Sequence, residues 1–139
     1  MTDTDHVQTC EQRVQAIQLA NQPILDDFET WLRQSRLSEP AIKDHVDNMC
    51  FFSRYLLLYA YSLRRLDEAT EGPVYDFLED WFPRKALWAS VSSMKIYLAS
   101  FKKFFTWMGA SGLVAPEIVE DVLSTLKESR NLFLRKVAE

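Results

Sequence analysis

Apolar residues return every three or four positions through most of this chain, and its prolines and glycines fall between those runs. The pattern predicts an all-α fold, a compact bundle of four to six helices joined by short connections. Val7, Cys10, Val14 and Ile17 form a narrow stripe on a first helix that frays at its start and ends near Asn21. After Pro23, the set Ile24, Leu25, Phe28, Trp31 and Leu32 predicts a second helix stopping around Ser35 to Leu37. Ser38 then offers an N-cap, with Glu39 in the positive first turn and Pro40 where a missing N–H costs nothing. The long helix that follows has a core face of Ile42, Val46, Met49, Phe52, Leu56 and Tyr59. Phe51, Tyr55 and Leu57 widen that face, which makes this helix the expected centre of the bundle.

A polar connection, Ser62 to Glu68, leads to a short helix capped by Thr70 or Gly72, carrying Val74, Phe77, Leu78 and Trp81 and closed by Pro83. Ser90 caps the next helix, in which Met94, Tyr97, Leu98, Phe101, Phe104, Phe105 and Met108 keep the helical period and Gly109 and Gly112 mark the end. From Pro116 a last helix places Val119, Val122, Leu123, Leu126 and Phe133 on one side and meets no stop signal, as in a chain cut mid-helix from something longer. The chain divides accordingly into a helical extension over 1–22, a main domain over 23–116 and a C-terminal helix over 117–139.

Composition narrows the class further. At 139 residues, 47% hydrophobic and 26% charged, the chain is neither a disordered tail nor a membrane protein. Only 3 glycines and 5 prolines leave too few turn-formers for a many-stranded sandwich. No run approaches the ~18 apolar residues of a membrane helix, and the start lacks the basic and apolar regions of a signal peptide, so the chain reads as cytoplasmic. Cys10 and Cys50 then read as reduced, small hydrophobes rather than a disulfide.

The net charge of -4 gives no global field for nucleic acid. The acid is unevenly spread, however: residues 1–50 hold 4 basic and 9 acidic groups, and residues 101–139 hold 6 basic and 5 acidic. Catalytic and metal motifs are absent, with no His-Glu-x-x-His, Cys-x-x-Cys, phosphate loop or Gly-x-Ser-x-Gly among these residues. His6 and Cys10 make half a metal site at most. Asp76, Glu79 and Asp80 read as a solvated face, and His45, between Ile42 and Met49, as a packed or hydrogen-bonded core histidine. No cofactor is expected.

One helix face stands out. At about 100° per residue, Lys95 and Lys102 fall in line, Lys103 lies about 80° round, and Ser92, Ala99 and Thr106 lie between them, about 140° from the apolar face. A basic face without acids, smoothed by small residues, suits close approach to a phosphate backbone, although any soluble helix also puts lysines outside. Lys43 and Arg54 extend the patch while Asp44 and Asp47 dilute it.

The residues Phe28-Glu-Thr-Trp-Leu-Arg-Gln-Ser-Arg-Leu-Ser-Glu-Pro-Ala-Ile-Lys-Asp-His-Val, with Phe52 and Tyr55-Leu56, resemble the first half of the SAM-like core-binding domain of tyrosine recombinases, the phage-integrase type. Val74-Tyr-Asp-Phe-Leu, the run from Ser93 to Met108, and Gly112-Leu-Val-Ala-Pro116 are similar to its second half, so the resemblance covers about Pro23 to Pro116. It implies a non-catalytic DNA-binding module for recombination or integration, with duplex DNA as partner and Lys43, Lys95, Lys102 and Lys103 on the DNA face. Arg36 is a lesser candidate in a turn. Ala41, where the family commonly has threonine, and the acids at Asp44 and Asp47 depart from the pattern.

The family's catalytic domain, with its tyrosine nucleophile and cationic residues, has no counterpart here, and neither histidine begins a His-x-x-Arg. Such a domain is expected beyond Glu139, if anywhere, so no enzyme is expected within the chain. The competing expectation is a helical protein-interaction domain that has lost DNA binding and offers Trp88, Trp107 and Leu132 to a protein partner.

Overall fold

The computed structural model describes residues 3–58 and 63–138, with side chains from Glu11 onward. Tyr59 and Ser62, and the side chains of His6, Val7 and Cys10, lie outside that description. The fold is all-helical, with no strand among the described residues: α1 (Asp3–Arg33), α2 (Glu39–Leu58), α3 (Glu71–Asp76), α4 (Phe82–Lys85), α5 (Val91–Ala110), α6 (Pro116–Glu128) and α7 (Arg130–Val137). A 3-10 turn, Leu66–Glu68, precedes α3, and a π turn, Phe77–Trp81, joins α3 to α4.

The helix break expected at Pro23 does not occur; α1 runs through it without interruption. Proline deletes one backbone bond, here to the carbonyl of Leu19, and both residues are on the solvent side. The inner side is pinned elsewhere. Buried Asn21 accepts a hydrogen bond from the Leu66 N–H at 2.9 Å, and Leu25, Phe28 and Leu32 carry the helix into the core. Leu66 is itself wholly buried, so the connection read as merely polar supplies a core anchor.

Pro83 likewise fails to close its helix. The π turn just before it widens the backbone, with the Phe82 N–H reaching back to the Phe77 carbonyl, and the helix continues to Lys85. A wider turn relieves the clash between a proline ring and the carbonyl one turn earlier. The last helix, expected to run unbroken, is divided at Ser129, whose φ of -100° and ψ of 7° leave the α region. Phe133 is buried beyond that break and Val122 and Leu126 before it, so the kink wraps one apolar stripe around the bundle.

The capping expectations hold where side chains make the bonds. Ser38 Oγ accepts from the Ala41 N–H at 3.3 Å, and Ser90 Oγ accepts from the Ser93 N–H at 3.0 Å while Ser93 Oγ accepts from the Ser90 N–H at 2.8 Å. Thr70 occupies the N-cap of α3 without a side-chain capping bond; its hydroxyl oxygen accepts from Arg64 Nη1 at 3.4 Å instead. At the end of α5, Gly112 takes φ of 76°, its N–H bonds Gly109 O at 3.2 Å, and the Leu113 N–H bonds Met108 O at 2.9 Å. That pair of bonds is a Schellman stop, which needs a left-handed residue at this position.

The centre of the bundle is α5 rather than α2. Met94, Tyr97, Leu98, Phe101, Phe104, Phe105 and Met108 are all buried, and α5 meets α1, α2, α6 and α7. The wide apolar surface of α2 is used on two sides: Phe52 packs edge-on against Phe101 at 4.8 Å, while Phe51 and Tyr55 contact Trp81 at 5.2 and 5.4 Å. Packing α6 closely needs Gly109, because a Cβ built there stands 2.6 Å from Val119 Cγ2.

Candidate functional site

With its apolar face committed to the core, α5 has one strip left over. Lys95 and Lys102 are exposed on it, Ser92 and Thr106 are exposed, Ala99 is half-buried and Lys103 is half-buried toward α2. Lys95 and Lys102 are seven residues apart, about 10 Å along the helix axis.

Across from them, α6 and the start of α7 present Lys127 and Arg130. Together these residues bound an open groove of about 610 Å³, whose walls are completed by Leu98, Ala99, Leu123 and Leu126. No carboxylate lines it. Lys95, Lys102, Lys103, Lys127 and Arg130 have no ion-pair partner among the described residues. Unpaired ammonium and guanidinium groups around a shallow channel are arranged to receive a polyanion, since no internal contact has to be broken first.

Of the residues expected on the DNA face, this strip gathers Lys95 and Lys102, with Lys103 turned toward α2. Lys43 lies elsewhere, in a groove between α1 and α2, and its Nζ stands 2.6 Å from Asp47 Oδ2, which raises its pKa through that hydrogen bond. Arg36 is exposed in the turn after α1. Arg54 is also separate, on the wall of a pocket with Asp44, Asp47, Phe51 and Trp88. Lys127 and Arg130 were missed, although their spacing with Leu123 at i, i+4 and i+7 placed all three on one side of a helix. What that side faces is a long-range contact, which no local pattern reports.

Several other residues singled out in the sequence surround the strip. His45 is buried and its Nδ1 lies 2.7 Å from Ser100 Oγ, the hydrogen-bonded core histidine foreseen. Glu79 pairs with Lys136 and Asp80 with Arg84, and no group of metal-ligating residues exists among the described residues. Cys50 is a free thiol. Trp107, expected at a partner-binding surface, is instead buried against Phe28 at 5.6 Å, because α1 covers it. Trp88 is half-exposed and Leu132 half-buried. Among the described residues, no helix is long and apolar enough to cross a membrane.

Comparison with protein-family models, with curated proteins and with solved structures found no match to this chain.

Proposed function

We propose that this chain is a non-catalytic DNA-binding module of the core-binding type used by phage-type integrases, and that it grips backbone phosphates of duplex DNA between α5 and the α6–α7 junction. The observation that carries the reading is the unpaired set Lys95, Lys102, Lys127 and Arg130 around a groove without carboxylates. The all-helical bundle and the resemblance from Pro23 to Pro116 support it. Phosphate contacts of this kind position a protein on DNA and carry little sequence information. In recombination or integration the chemistry belongs to a separate catalytic domain, and this chain alone is expected to leave supercoiled DNA with magnesium free of nicks and covalent adducts.

Labelled duplex titrated by fluorescence anisotropy at two low salt concentrations tests the reading. A dissociation constant in the non-specific range of ~10⁻⁴ to 10⁻⁶ M is expected, with the affinity falling as salt rises by about 0.9 logarithmic units per logarithmic unit of salt for each phosphate neutralised. Replacing Lys95, Lys102 and Lys103 with glutamine flattens that slope. No binding at the lower salt, or a variant equal to the parent, abandons DNA in favour of a helical interaction domain. That second reading has an observation of its own: Leu87 is fully exposed beside the half-exposed Trp88, and Ile96 is exposed nearby on α5.

A further inference from the structure

A small pocket on the α2 side of the lysine strip is lined by Ala41, Asp44, His45, Lys95, Ile96 and Ala99. Its deepest polar group is His45, only 6% exposed. The hydrogen bonds around Ser100 favour one of the two ring nitrogens as the carrier of the proton. Ser100 Oγ lies 2.9 Å from the carbonyl of Ile96, which can only accept, so the hydroxyl proton goes there. Asn48 Nδ2 donates to the same oxygen at 3.1 Å, and His45 Nδ1, at 2.7 Å, must therefore be a donor too. Neutral imidazole with a proton on Nδ1 has a bare lone pair on Nε2. That nitrogen has no partner among the described residues, and it is not one of the sealed, unsatisfied atoms of the interior. It therefore retains access to solvent, and His45 is one of the residues that line the pocket.

We propose that this pocket is a phosphate subsite of the interface, in which His45 takes up a proton on Nε2 and donates it as a hydrogen bond to a phosphate oxygen, beside the Lys95 ammonium. The proposal rests on the polyanion-binding reading above and deepens it, since it names a proton-linked contact. The charged groups around the ring are Asp44 from its own helix and Lys95 and Lys103 from α5. Without ligand, burial and then Lys103 hold His45 below its ordinary pKa, while Asp44 works in the opposite direction. The ring is thus neutral near pH 7, and an arriving phosphate dianion or diester supplies the charge that makes protonation favourable. Nothing covalent changes: one solvent proton moves to Nε2 and leaves when the phosphate leaves.

Proton uptake of this kind tightens binding as pH falls, by at most about tenfold per pH unit for one proton. Between pH 8 and pH 6, duplex DNA is expected to bind the parent about three- to tenfold more tightly, and His45→Asn is expected to lose that gain. Asparagine is the right replacement because its amide can still donate to Ser100 while nothing remains at the Nε2 position. A His45→Asn protein that keeps the full pH response overturns the proposal, because the response then belongs to His6 or to carboxylates.

A second measurement needs no variant. The His45 ring signals of the unaltered protein, titrated by NMR with and without inorganic phosphate, are expected to show a higher pKa with phosphate, and an unmoved titration overturns the subsite. If DNA fails to bind at either pH while phosphate still shifts His45, the DNA reading falls and the subsite stands for another phosphate-bearing ligand. If DNA binds without any link to His45, the reverse holds.

Discussion

Two of the grooves between helices, one between α1 and α2 and one between α5 and α6, contain cations. Between α1 and α2 both cations are matched: Arg33 bonds Glu29 at 3.1 Å and also pairs with Glu39, and Lys43 bonds Asp47. Between α5 and α6 the four cations face one another across leucines and an alanine with no acid in the lining. The first groove is electrostatically finished. The second holds like charges together, an arrangement that mutual repulsion disfavours and that a bound anion relieves. Cations are present in both; what separates the two is whether those cations have acidic partners.

The largest test asks whether the second groove has a rigid wall. Phe101 sits on the inner side of α5, fully buried, edge-on to Phe52 and 5.9 Å from Phe77. Phe101→Ala should therefore cost roughly 3 to 5 kcal/mol as a core cavity, read from urea unfolding followed by circular dichroism, and Phe52→Ala should behave alike. Either variant unfolding with the parent would remove the basis for treating α5 as the fixed element.

Gly109→Ala tests the opposite wall. In most helices that change gains up to ~1 kcal/mol, but here the added carbon meets Val119 at 2.6 Å. A net loss of about 1 to 2 kcal/mol is expected, since overpacking typically costs ~1 to 3. The displacement should also loosen DNA binding by moving Lys127 and Arg130 away from α5. Stabilisation by this variant would show that α6 yields freely and that the groove has no set width.

Much of this architecture was legible because it is local. The α5 face from Met94 to Met108 is buried at every expected position, and Ser38 and Ser90 cap the helices they were expected to cap. The misreadings at Pro23 and Pro83 share a cause: a proline's cost depends on whether the freed carbonyl is on the solvent side or whether a π turn opens beside it, and both are set by tertiary context. Leu66 was hidden among charged neighbours in a short connection. For the candidate site, spacing identified the line of Lys95 and Lys102 on α5. It gave no means of knowing that Asp47 satisfies Lys43, or that Lys127 and Arg130 cross from another helix.

That contrast between satisfied and unsatisfied cations is sharpened by single substitutions. Lys127→Gln or Arg130→Gln should each lower the salt slope of DNA binding by about 0.9 where the side chain neutralises one phosphate, with about the same stability as the parent. Lys43→Gln should leave the slope where it was, because Lys43 already has Asp47 as its counterion. A Lys43 effect as large as that of Lys127, measured by the same anisotropy titration, would erase the distinction between the grooves.

The smallest expected effect separates the same two regions by pH. His45, beside the unpaired strip, has its folded pKa lowered below 6.5 by burial and by Lys103. The unfolded chain therefore binds a proton more readily than the folded one, so stability falls as pH drops from about 6.5 toward the lowered folded value, and is unaffected by this group above it. Ion-paired carboxylates act in another window. Asp80, bonded to Arg84, has its pKa lowered from 3.8, so its contribution is present above that value and is lost only at more acidic pH. Urea midpoints at pH 7.5, 6.5 and 5.5 should thus decline slightly for the parent and stay nearly level for His45→Asn, the residual slope of the variant coming from carboxylates. Added phosphate should oppose the parent's decline, since a ligand that prefers protonated His45 stabilises the folded state as that proton binds. An equal decline in both proteins would assign the pH response to carboxylates alone, and the α5 strip would then differ from the α1–α2 groove in its charge pairing but not in any coupling to protons.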